Sequence, residues 1–134
     1  MADITQTAAN VRSTSNARRK SYTAGENGIE PGDQLYLDSN KVKNADNSTE
    51  AKATVIGTAL GYADLDQPVE VHESGDLNPG GTVVVGECYV VSSNSGKIAP
   101  SSDLTTGQYC TYLGIGKSTS LISYNPDVTG ATHA

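Results

Sequence analysis

The sequence predicts an all-β fold, a compact β-sandwich or β-barrel-like body of short antiparallel strands with an extended N-terminal arm. Three observations predict it. Charged residues make up only 18% of the 134-residue chain, against roughly 25% in an average protein, and Ser, Thr, Asn and Gly fill the difference. That composition suits short strands joined by many turns and does not suit a helical bundle. Apolar residues then alternate or cluster in short runs between Gly, Pro, Asn and Ser, while no long stretch sustains a 3.6-residue apolar period with caps. The length fits a single domain.

From residue 1 to about Arg19 the chain is rich in Thr, Ser, Asn and Ala, with isolated Ile4 and Val11 and no periodic face. It reads as an arm, weakly ordered when alone. After Pro31-Gly32, the segment Gln34–Asp38, the turn Ser39-Asn40 and the return Lys41–Lys43 predict a hairpin. Asp46–Thr49 reads as a loop and Ala51–Leu60 as a strand, in which Gly57 marks a bulge or a close backbone approach. Gln67–Glu73 alternates, with Val69 and Val71 on one face and Glu70 and His72 on a half-exposed other face. Thr82–Val91 is the most apolar segment and is expected at the centre of the core, as two strands or one bent strand. Gly107–Gly116 and Thr119–Tyr124 form a last pair joined at Gly116-Lys117-Ser118.

An internal echo runs through these elements. Ile29-Glu30-Pro31-Gly32 is matched by Leu77-Asn78-Pro79-Gly80, Tyr36–Asn40 by Tyr89–Asn94, Lys41-Val42 by Lys97-Ile98, and Val55-Ile56-Gly57 by Tyr112-Leu113-Gly114. The order is kept throughout, which predicts two related β-units; convergence on similar turn chemistry is the other reading.

The net charge of -6 is a sum of unlike parts. Residues 1–20 hold Arg12, Arg18, Arg19 and Lys20 against Asp3 alone, a net of +3, whereas the remainder holds five Lys against fourteen Asp and Glu, a net of −9. The chain therefore divides into a flexible basic arm (1–20), an all-β body (21–125) and a C-terminal tail (126–134). An acidic body with a few cations and no aromatic platform beside them is a poor nucleic-acid binder. No apolar run reaches the length of a membrane span and no basic-then-apolar leader opens the chain, so a soluble protein used without secretion is expected.

The residues that could carry chemistry lack the surroundings that chemistry needs. Gly114–Thr119 resembles half of a phosphate loop, but Thr111 stands where the first glycine belongs and a β-branched stretch follows instead of a helix. Asp64, Asp66 and Glu70 fall short of a calcium loop, since Pro68 intrudes and the spacing is too short. His72 and Glu73 are adjacent on a strand and face opposite sides, and His133 sits in a polar tail, so no zinc site is expected. Asn47-Ser48-Thr49 fits a glycosylation pattern but reads as a plain loop. Cys88 and Cys110 read as reduced thiols, with a bridge between neighbouring strands as the alternative. No nucleophile, base and orienter come together, so no enzyme, cofactor or small-molecule substrate is expected.

The order and length of several stretches resemble the decoration, or cement, proteins of tailed-bacteriophage heads. These stretches are Ala2–Val11, Ile29–Gly32 through Leu35–Ser39, Val55–Leu60 followed by Gln67-Pro68-Val69, and Gly107–Gly116. The basic cluster Arg18-Arg19-Lys20 departs from the family pattern. The resemblance implies an all-β homotrimer on the outer surface of the virion capsid, made in the host cytoplasm, that bridges major capsid subunits and stabilises the head. It also implies an N-terminal arm that orders on docking by adding a strand to a capsid edge. The docking candidates are Ile4, Val11, Arg12, Arg18, Arg19 and Lys20. The alternative function is a carbohydrate- or surface-binding β-sandwich module of a fibre or adhesin, for which Tyr22, Tyr62 or Tyr124 would supply the aromatic contact.

Overall fold

The computed structural model describes residues 3–134 and is all-β, a curled antiparallel sheet that forms a half-barrel. Ten strands follow one another: β1 (Val11–Ser13), β2 (Arg18–Thr23), β3 (Gln34–Asp38), β4 (Lys41–Asn44), β5 (Val55–Ala59), β6 (Pro68–Pro79), β7 (Cys88–Val91), β8 (Ile98–Pro100), β9 (Tyr109–Gly116) and β10 (Ile122–Thr132). The only helical pieces among the described residues are single 3-10 turns at Ala8–Asn10 and Ser101–Asp103.

Strand order across the sheet is β4-β3-β5-β6-β10-β9-β7-β8, which reads as the same arrangement from either end. In each half an outer hairpin (β3-β4 or β7-β8) is followed by a single strand (β5 or β9) and then by a long one (β6 or β10). The two long strands meet at the centre, with Leu77 opposite Ile122. The sequence echo thus corresponds to two β-units of the same connectivity. Even the irregularities match, because the ladder slips between Leu35 and Tyr36 opposite Gly57 and Val55, and again between Tyr89 and Val90 opposite Gly114 and Tyr112. Register therefore aligns Leu35 with Tyr89, one residue away from the alignment by sequence. At Gly57 both expectations hold: the strand is bulged, and a Cβ there would lie 2.5 Å from the His72 carbonyl oxygen. The Ser39-Asn40 turn closes β3-β4 with both residues at positive φ, as a two-residue hairpin of this hand demands.

The first twenty-odd residues depart most from expectation. Instead of a free arm, the chain from Ile4 to Gly25 is a seam that draws both halves shut. Ile4 donates its amide to Ile98 on β8, Thr7 donates to Gly80, β1 and β2 pair with successive parts of β6, and Gly25 donates to Val42 on β4. Each half therefore curls until its outer hairpin meets the N-terminal segment. The physical reason is burial: Ile4 and Val11 sink into the larger core cluster with Leu77, Tyr89, Leu113 and Tyr124. The Gln6 amide bridges the two echoed Pro-Gly corners, donating to the carbonyls of Gly32 (3.2 Å) and Pro79 (2.8 Å).

Other boundaries shift as well. The 126–134 tail is not separate, because β10 continues to Thr132 along β9, with Asp127 opposite Tyr112 and Thr132 opposite Tyr109. Ala51–Ala53 is a turn, and the strand begins only at Val55. Thr82–Val91 is not all core, since Val84 and Val85 are exposed and only Cys88–Val91 forms a strand. His72 is buried, not half-exposed. Between Val71 and His72, β6 passes from the smaller cluster (Ala24, Leu35, Val42, Val69, Val71) to the larger one, so both of its faces are covered there.

A candidate docking surface

Strand β2 gathers three of the candidate cations. Its residues are exposed except for half-buried Tyr22, because the strand pairs on one side only, with β6. Arg19 and Ser21 stand opposite His72 and Glu70, while Lys20 and Tyr22 stand opposite Val71 and Val69. The cross-strand acids answer the cations: Arg18 Nε lies 3.4 Å from Glu73 and Arg19 Nε 3.5 Å from Glu70. These exposed pairs contribute at most ~1 kcal/mol each, so they orient the guanidinium groups more than they stabilise the fold. Lys20 Nζ sits over the Tyr22 ring, 5.2 Å from its centroid. The Tyr22 hydroxyl donates to Glu73 (2.7 Å), and burial together with that carboxylate pushes its pKa up to about 12. Arg12 is exposed and turned back on its own chain, donating to the carbonyls of Ala9 and Val11.

The six sequence candidates therefore separate. Arg12, Arg18, Arg19 and Lys20 are presented to solvent, and Ile4 and Val11 are core. Sequence reasoning missed Glu70, Glu73 and Tyr22 as the groups that set the cations in place; the i, i+3 acids of the 67–73 segment were the available signal. Of the three tyrosines open to a glycan reading, Tyr62 is exposed, Tyr22 is engaged with Glu73, and Tyr124 is fully buried with its hydroxyl on Gln34.

The motifs set aside in sequence have structural partners. Lys117 of the phosphate-loop fragment pairs with Asp76, the Asp64 carboxylate accepts the Gly28 amide, and Asp66 pairs with Lys41. Asn47 is buried against Val91, out of reach of a glycosylating enzyme. His72 lies between the Ser13 hydroxyl (2.6 Å at Nδ1) and the Gly75 carbonyl (2.9 Å at Nε2), its ring edge to face with Tyr124. Burial and nearby Arg19 lower its pKa, so the ring is neutral, with Nε2–H donating to Gly75. Cys88 and Cys110 are both free thiols; Cys88 pairs with Ile115, leaving Cys110 roughly 17 Å further along β9. Burial raises the Cys88 thiol pKa. Among the described residues no group of three or more His, Cys, Asp or Glu gathers to hold a metal ion.

A cleft of about 730 Å3 lies between Asp3–Gln6 and the 90–108 region. Asp3 forms its rim, accepting from Ser92 and Asn94. No family model matches this chain, and comparison with curated proteins and with solved structures finds no match.

Proposed function

We propose that the protein is a structural virion protein that binds the outer surface of a phage capsid, bridging major capsid subunits and stabilising the head. The observation that carries this reading is β2, a basic strand with one open edge on an otherwise acidic body. An open edge offers backbone donors and acceptors to an extended partner segment, and its charge selects an acidic one. The whole-chain resemblance to decoration proteins points the same way. Docking through a strand already held against β6 avoids most of the ordering cost that a free arm would carry. A homotrimer would present three such strands at once and turn weak contacts into avidity.

The test is co-sedimentation with undecorated capsids. The triple substitution Arg18→Gln, Arg19→Gln, Lys20→Gln replaces only exposed side chains, and the reading expects it to keep the native Tm while abolishing attachment at physiological salt. Attachment of the native protein should also weaken as salt rises. Full occupancy by the triple variant overturns the proposal.

A further inference from the structure

The 26–28 loop holds an arrangement unrelated to docking. Asn27 and Gly28 are both exposed, and a Cβ built on Gly28 meets nothing within 4 Å, so no neighbouring group crowds the Gly28 α-carbon. Two consecutive residues of the facing loop grip this dipeptide. The Leu65 amide donates to Asn27 Oδ1 at 2.9 Å, and the Gly28 amide donates to Asp64 Oδ1 at 3.1 Å. The Leu65 bond polarises the side-chain amide and stabilises negative charge that develops on its oxygen, as an oxyanion donor does. The Asp64 carboxylate stands where the proton of the Gly28 nitrogen would leave.

The geometry points to Asn27 as a site of self-modification, converting to aspartate and isoaspartate through a cyclic imide. The Gly28 nitrogen bonds to Asn27 Cγ as its proton passes to Asp64. The Cγ–Nδ2 bond then breaks, and Nδ2 departs as ammonia carrying that proton. Solvent water opens the five-membered ring at either carbonyl, giving aspartate or isoaspartate. No oxidant or cofactor enters. The product adds a negative charge beside Asp64, Asp66 and Glu26, in the loop whose neighbouring Ile29–Ala63 bridge ties the smaller core together.

The experiment is prolonged incubation of the full chain at mildly alkaline pH in heavy-oxygen water, followed by peptide mass mapping. Asn94, exposed and followed by Ser95 but with its side-chain amide held by Asp3, serves as the restrained comparison. Heavy oxygen should accumulate at residue 27 well before residue 94. Asp64→Asn keeps an acceptor for the Gly28 amide but removes the base, and should slow conversion at Asn27 roughly tenfold, short of the ~100-fold of a fully aligned general base. The melting temperature of the variant, matched to that of the native chain, shows that the loop is intact. Equal conversion at residues 27 and 94 overturns the proposal. So does an Asp64→Asn variant that converts as fast as the native chain or faster, since that result makes the two hydrogen bonds a clamp that restrains the reaction.

Discussion

Val11→Ala is the sharpest test of whether the N-terminal segment belongs to the body. Val11 is 6% exposed, and one of its methyl groups reaches both echoed corners, 3.1 Å from a Cβ built on Gly32 and 2.9 Å from one built on Gly80. The substitution removes two buried methyl groups, about 1.6 kcal/mol at ~0.8 kcal/mol for each buried carbon. The corners are held by backbone bonds and by Gln6, so they close only part of the space, and a cavity cost raises the loss to roughly 2–3 kcal/mol. For a chain of this size that corresponds to a fall in Tm of about 8–12 °C. Urea titration should show a lower midpoint with an unchanged slope, because the folded state keeps its extent. A free arm would give no change at all. A Tm within about 1 °C of the native protein refutes the seam, since even one kcal/mol would move it further.

Other outcomes follow from the same packing. Tyr124→Phe removes the donor to Gln34 Oε1 in the buried centre, leaving that oxygen unpaired, and should cost about 1–3 kcal/mol by chemical denaturation. The pKa of His72 is lower folded than unfolded, so as pH falls the unfolded chain takes up the proton first. Its contribution is complete above the unfolded value of about 6.5 and is lost below it, by up to ~1.4 kcal/mol per pH unit, until the folded value is reached. Ser13, Thr58 and Tyr124 surround the ring, with Arg19 and Asp76 as the charges that act on it. His72→Gln should therefore flatten the stability profile in that window, measured by urea unfolding at each pH. Cys88 should react slowly with alkylating reagents in the native state, and reduced and non-reduced samples should migrate alike on denaturing gels.

Much of the body was legible in sequence because its strands carry local signals. Ser39-Asn40 announces its hairpin, Gly57 marks its bulge, and the repeated Pro-Gly and Val-Ile-Gly or Tyr-Leu-Gly stretches foretell two units of like connectivity. The seam was not legible, because a strand such as β2 that is exposed on both faces shows no alternation, and single buried residues such as Ile4 and Val11 make no pattern. The end of β10 has the same difficulty: Asn125, Pro126, Asp127 and Gly130 have turn chemistry, yet the chain continues along β9. Val84 and Val85 illustrate the reverse error, an apolar run whose loop holds only Val83 in the core. His72 was misplaced because period-two reasoning assumes one wet face, and β6 has none where the two clusters meet. Of the candidate site, the cations were visible as a cluster; the carboxylates that orient them depend on the β2-β6 register.

The seam also sets an order of events during synthesis. Asp3 finds its partner in Asn94, 91 positions later, so the opening residues must wait until most of the chain has left the ribosome. At about 5–20 residues per second that interval is several seconds or more. The first half can form its hairpin and bulge meanwhile, but Ile4 and Val11 remain wet until the second half arrives. A nascent chain stalled before β8 should therefore show protease sensitivity at Ile4–Val11 that disappears once β8 has emerged, which makes the arrival of the second half the event that closes the fold.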